Sequence, residues 1–197
     1  MKEKNTKKKY YIFLDIDGTL YDAAHCPNYD PDYPLLKYFP MLKKSSVNAI
    51  NTLLEKLEEQ FDTQLVITSQ RRTDMETCSS YLYGFGLRYN KPLYRTTLDK
   101  NLIRGEQILQ FMKDAGEGPF NYKKGFMKGL KYVLTKEDFK NFVVIDDEDK
   151  NNRLTNVIHK SRIIFSDHDF ESITSEQIIG YLDKNNLLSQ QQEKYWF

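Results

Sequence analysis

Apolar positions along this chain fall into short unbroken runs, and between them lie longer stretches where apolar residues recur every three to four positions. Tyr10-Tyr11-Ile12-Phe13-Leu14 is the first run. Gln64-Leu65-Val66-Ile67-Thr68-Ser69, Phe142-Val143-Val144-Ile145 and Ser161 to Phe165 are others, and Pro92-Leu93-Tyr94-Arg95-Thr96 is a shorter one. Runs of this length, rich in β-branched and aromatic residues and bounded by turn signals, predict strands. A strand apolar at nearly every position is covered on both faces, as in parallel sheets.

The periodic stretches predict helices. Val47, Ile50, Leu53, Leu54, Leu57 and Phe61 share one face, with Glu55, Lys56, Glu58 and Glu59 opposite and Ser45 or Ser46 as cap. Thr73 with Glu76 forms a capping box for a helix ending near Gly84, and Thr174 with Gln177 caps a last helix through Leu182. A helix from about Leu102 through Met112 turns Ile108, Leu109 and Met112 inward, and Gly116-Glu117-Gly118-Pro119 breaks it. Another starts near Lys124 with Phe126, Met127, Leu130 and Val133 in period. Strands alternating with helices predict an α/β fold: one doubly wound, Rossmann-like parallel sheet of about five strands with helices on both faces. Neither a repeat nor a linker interrupts residues 10–190, so they read as one domain behind a basic tail, residues 1–9.

Tyr21 to Lys43 departs from both patterns. Pro27, Pro31, Pro34 and Pro40 forbid long regular elements there, which predicts an ordered loop folded over the end of the first strand. Its aromatics Tyr29, Tyr33 and Tyr38 either pack the loop onto the body or form a platform for a substrate.

Composition narrows the class. The chain is 40% hydrophobic and 29% charged with a formal net charge of +1, so no global field draws it to nucleic acid or membrane. Cys26 and Cys78 make no metal-like pair, which points to a reducing compartment and predicts a cytoplasmic protein. No apolar stretch approaches the roughly 18 residues that span a bilayer. The lysine-rich start lacks the apolar core of a secretory signal. His25, His159 and His168 have no ligand spacing, and no obligate protein partner is evident.

The chemistry concentrates at strand ends. The first run stops at Asp15-Ile16-Asp17-Gly18-Thr19. If the strand persisted, Asp15 and Asp17 would share a side. Two carboxylates so close repel unless a cation sits between them or one keeps a proton. Mg²⁺, with its taste for oxygen ligands, meets that need and leaves positions for a phosphate oxygen. Gly18 permits a sharp turn and a close approach. A helix–loop–helix calcium site would place its glycine three residues after the second acid, not directly after it; a plain Asx-type turn is the other alternative. Thr68 and Asp146-Asp147 end two further strands. In a parallel sheet such ends converge on one rim, and with a Lys or Arg they complete a phosphoryl-transfer site.

These motifs resemble those of the haloacid dehalogenase (HAD) superfamily of phosphatases and phosphotransferases, over nearly the whole folded chain. Asp15-Ile16-Asp17-Gly18-Thr19 corresponds to its first motif, Thr68 to its second and Asp146-Asp147 to its fourth. The resemblance implies a Mg²⁺-dependent phosphatase. Asp15 would be the nucleophile; an unperturbed carboxylate, with pKa near ~3.9, is ionised at neutral pH and needs no base. Asp17 would act as general acid and then base. Asp15, the Asp17 backbone carbonyl and Asp146 would hold the metal, with Asp147 as a further ligand or an outer partner. Thr68 would hydrogen-bond a phosphoryl oxygen. Within the superfamily the chain most resembles capless domains found near RNA-repair proteins and the phosphatase half of polynucleotide kinase-phosphatases. Their third motif, a basic residue then glycine opening a helix, matches Arg104-Gly105; Lys124, at the head of the helix before the fourth strand, fits the general superfamily order. With little room for a cap, the site would be open and the phosphorylated substrate large, such as a polynucleotide end. Arg71, Arg72 and Arg95 either meet further phosphates or are ordinary surface charge.

Overall fold

The computed structural model describes residues 7–21, 42–117, 141–147, 153–166 and 173–188. Strands β1 (Lys9–Leu14), β2 (Asp62–Ile67), β3 (Tyr94–Arg95), β4 (Phe142–Asp146) and β5 (Ile163–Phe165) form one sheet in the order β3-β2-β1-β4-β5. Every neighbouring pair is parallel, as the apolar runs predict. Helices α1 (Lys44–Glu58), α2 (Met75–Gly84), α3 (Arg104–Asp114) and α4 (Ser175–Lys184) cover it. Among the described residues no helix is long and apolar enough to cross a membrane.

The central strand shows why its run is apolar throughout. Tyr10, Ile12 and Leu14 pack into a core shared with Leu53 of α1, Leu82 of α2 and Leu182 of α4. Tyr11 and Phe13 point the other way, onto Ile108, Leu109 and Met112 of α3. No residue from Tyr10 to Leu14 is more than 1% exposed. At roughly 1.5–3 kcal/mol for each large apolar side chain buried, this strand alone is a major share of the driving force. At the edge far from Asp15, the buried Tyr10 and Tyr181 hydroxyls bond each other at 3.0 Å, and Tyr181 donates to the Phe142 carbonyl at 3.2 Å.

Several boundaries move for local reasons. Lys43, not Ser45 or Ser46, precedes α1, without a side-chain cap. Its start is fixed by the neighbouring chain instead: Lys43 N–H donates to Leu20 O at 2.9 Å, and Leu42 and Val47 are buried. Asp74 replaces Thr73 as the cap of α2, accepting from Thr77 N–H at 3.1 Å. Thr73 closes a 3₁₀ turn, Gln70–Thr73. The Thr174–Gln177 capping box of α4 forms as expected. β5 starts two residues later than Ser161 because a 3₁₀ turn, Lys160–Arg162, precedes it; His159 caps that turn by accepting from Ser161 N–H. The helix expected from Lys124 and most of the Tyr21–Lys43 loop, with Tyr29, Tyr33 and Tyr38, lie outside the described residues.

Gly105 sets where α3 can sit. Its N–H donates to Arg153 O at 3.0 Å, and a Cβ there would lie 2.7 Å from the Val157 Cβ. The first turn of α3 therefore touches the 153–157 turn without a side chain between them. Gly105→Ala should destabilise the fold by about 1–2 kcal/mol, overpacking outweighing the gain in helix propensity. A denaturant titration checks this; unchanged or raised stability would mean that the two turns separate freely.

Candidate functional site

Extending the β1–β4 register by one row sets Asp15 beside Asp146, and extending β1–β2 sets it beside Thr68. The ladder does continue: Asp15 N–H donates to Ile145 O and Thr68 N–H to Leu14 O, both at 2.9 Å. Phe13, Val66 and Val144 belong to the α3 side. Side chains alternate along a strand, so Asp15, Thr68 and Asp146, each two residues on, fall on that side too. All three are buried, with exposures of 2%, 1% and 0%.

Asp15, Asp146 and Asp147 each offer a carboxylate oxygen, and the three lie within 4.8 Å of one another. Gly18 makes room for the third. Its φ is +78°, and a Cβ there would collide with the Asp147 carboxylate. Arg104, the first residue of α3, reaches into the group: it hydrogen-bonds Asp146 Oδ2 and pairs with Asp15 Oδ1 at 3.3 Å. Asp15 Oδ1 itself is buried with no hydrogen bond. One guanidinium thus pairs with two of the three carboxylates. Burial is the main influence pushing the Asp15 carboxyl well above the usual carboxylate range; Arg104 opposes the push and Asp146, Asp147 and Asp17 add to it. The same acids hold Arg104 above its ordinary value against the effect of its own burial.

The donor set fits a hard divalent cation such as Mg²⁺. It is all carboxylate oxygen, largely buried, and negative in excess of its one arginine. Asp15, Asp146 and Asp147 would be the ligands.

The Asp17 carboxylate stands apart from this cluster. The strand ends at Leu14 and the chain turns, so the two-residue spacing no longer sets both acids on one side. Tyr21 Oη donates to Asp17 Oδ1 at 2.9 Å and Ser69 Oγ to Oδ2 at 2.7 Å. Arg71 adds Nε at 2.7 Å and Nη2 at 2.6 Å. Its guanidinium lies 6.0 Å from the Tyr21 ring centre and 5.8 Å from that of Tyr81, within cation–π range.

Thr68 is at the expected strand end, its hydroxyl buried and without a partner. Arg72 is neither surface charge nor a free phosphate ligand. It is buried and donates to Thr68 O at 2.5 Å, Ser69 O at 2.7 Å, Thr97 O at 3.2 Å and Gln107 Oε1 at 2.9 Å. It ties the ends of β2 and β3 to α3. Arg95 is exposed and donates to Arg72 O at 2.9 Å. Lys124 lies outside the described residues. Cys78 is buried and its thiol is pushed up to about 11 by that burial, so it is no thiolate at neutral pH.

An open pocket of about 380 Å³ lies over the cluster, lined by Asp15, Asp17, Asp147, Arg104, Gln70, Arg153 and Leu154. Sequence reading missed Gln70 and Arg153. Gln70 directly follows the second strand run, a position that could have flagged it. Arg153 had no such signal, since only the Gly105 contact brings its turn to the pocket.

Arg72→Ala should cost about 2–4 kcal/mol by leaving buried carbonyls unpaired, against under about 0.5 kcal/mol for the exposed Arg95→Ala. Equal effects in chemical denaturation would refute the tying role. A second expectation concerns protons. The unfolded chain ionises Asp15 near the ordinary ~3.9, whereas the folded chain keeps that proton to higher pH. The stability it contributes is full below the unfolded value and is lost as pH rises toward the folded one. In chelator, wild-type Tm should therefore fall relative to Asp15→Asn as pH rises above the ordinary carboxylate range; parallel curves would contradict the shift.

No family model, no curated protein and no solved structure matches this chain.

Proposed function

We propose that this protein is a Mg²⁺-dependent phosphomonoester hydrolase working through an aspartyl-phosphate, with an open site that admits a large substrate such as a nucleic-acid end. The observation that carries the reading is the buried Asp15–Asp146 pair, with Asp147 beside it and Arg104 between. Clustered acids at the carboxyl edge of a parallel sheet are costly to keep without a cationic ligand. The resemblance of Asp15-Ile16-Asp17-Gly18-Thr19, Thr68 and Asp146-Asp147 to the HAD motifs supports the same reading.

In this mechanism an Asp15 carboxylate oxygen attacks phosphorus as the bond to the leaving oxygen breaks. Asp17 protonates that oxygen, then takes a proton from water. The water oxygen attacks phosphorus, the bond to Asp15 breaks, and phosphate leaves. Bound Mg²⁺ would supply charge neutralisation for the phosphoryl oxygens and keep Asp15 ionised. Arg104 holds Asp15 and Asp146 in place and donates to a phosphoryl oxygen; this favours Arg104 as the third-motif cation. Thr68 offers its unpartnered hydroxyl to the same group. For Asp17 to reach a leaving oxygen, Arg71 must loosen its hold, because Arg71, Ser69 and Tyr21 already occupy both of its carboxylate oxygens.

That clamp favours a second reading, a catalytically silent binding module in which Arg71 holds Asp17 and Arg104 partly offsets the other acids. A phosphotransferase using another acceptor is disfavoured by the presence of Asp17. Asp15→Asn should lower Mg²⁺-dependent release of phosphate from an aryl phosphate at least about 10³-fold. The wild type should gain about 2.7 kcal/mol of stability at a hundredfold excess of Mg²⁺ over its Kd. No turnover across 3′- and 5′-phosphorylated oligonucleotides and small esters, with no Mg²⁺-induced rise in Tm, would select the silent module.

A further inference from the structure

Most of the arginines at this rim have their charge engaged. Arg104 is held by Asp146 and Asp15, and Arg71 by Asp17. Arg72 is buried among carbonyls, and Arg95 donates to the Arg72 carbonyl. Arg153 is different. It lines the pocket with Asp15 and Arg104, it is exposed, and among the described residues its side chain has no partner.

Its backbone is nevertheless fixed. The Arg153 carbonyl accepts from Gly105 N–H at 3.0 Å, one residue from Arg104. The next residue, Leu154, is wholly buried, and its carbonyl accepts from Val157 and Ile158 N–H at 2.9 and 2.8 Å. A long cation thus springs from a hydrogen-bonded turn at the wall of a pocket lined by three aspartates and Arg104. Such a group has little to do for the phosphoryl being transferred, which Arg104 already serves. It is placed for what lies beside that phosphoryl.

We propose that Arg153 is a specificity-determining residue that binds a second oxyanion on the leaving group, so that preferred substrates carry two anionic groups. A guanidinium fork matches phosphate or carboxylate with paired donors. Its charge also offsets the repulsion that Asp17 and Asp147 exert on an incoming dianion. This rests on the phosphatase reading above and sharpens its substrate class.

The test compares wild type, Arg153→Ala and Arg153→Lys on para-nitrophenyl phosphate, O-phosphoserine and a nucleoside 3′,5′-bisphosphate, each with Mg²⁺. Arg153→Ala should raise KM about 10- to 100-fold for the ester whose second oxyanion is recognised, with kcat unchanged. Para-nitrophenyl phosphate, which has no second anion, should change less than about twofold, and Arg153→Lys should recover part of the loss. Loss on O-phosphoserine alone identifies a carboxylate partner, and loss on the bisphosphate alone a phosphate. Equal loss on all three esters, or none, overturns the proposal. If the wild type turns over none of them, the phosphatase reading fails separately. The proposal is then decided by calorimetric titration with adenosine 3′,5′-bisphosphate, adenosine 5′-monophosphate and O-phosphoserine. Arg153→Ala weakening the bisphosphate or the phosphoserine but not the monophosphate upholds it; any other pattern rejects it.

Discussion

One guanidinium set against two buried carboxylates governs this rim. Arg104 touches both Asp15 and Asp146, neither more than 2% exposed, and Asp147 adds a third negative group close by. A buried charge stripped of its partner costs about 3–5 kcal/mol. The arginine is therefore a structural necessity before it is a functional one, yet it falls short of neutrality. What remains is a local surplus of negative charge at the floor of an open pocket, a setting in which a nearby cation favours the ionised carboxylates.

The scaffold around the pair explains why the side chains meet. Parity does the first part, because Tyr11 and Phe13 on β1, Asp15 just past its end, and Phe142, Val144 and Asp146 on β4 fall on the α3 side. The absence of a Cβ at Gly105 does the second, letting the first turn of α3 settle against the 153–157 turn so that Arg104 lands over the acids. Arg72 does the third. Its buried guanidinium joins Thr68 and Ser69 to Thr97 and Gln107, so the ends of β2 and β3 cannot drift from α3.

Much of this was legible in the sequence. The apolar runs gave the strands and their parallel sense, and Asp15, Thr68 and Asp146 stood at run ends that a parallel sheet must bring together. What escaped was information held in turns and long-range contacts. The same-side spacing of Asp15 and Asp17 fails because β1 ends at Leu14, after which Asp17 finds Arg71, Ser69 and Tyr21. Ser46 looks like a cap by composition, but packing of Leu42 and Val47 decides where α1 begins. Arg72 reads as surface charge because nothing local shows that four acceptors from three segments surround it. Arg153 is silent for the same reason, its place at the pocket wall depending on a hydrogen bond from Gly105, 48 positions earlier.

The strand order has a consequence for the life of the chain. Among the described strands the central one, β1, comes first in the chain, its neighbour β2 follows, and its other neighbour β4 comes only much later. During synthesis the β1–β2 half can collapse with α1, while Asp15 waits for Arg104 and then, more than a hundred positions downstream, for Asp146. Such distant pairing is slow, and it makes assembly of the acidic cluster one of the last events of folding. An unfinished or C-terminally clipped chain would lack Asp146 and Asp147, two of the three acids of the cluster.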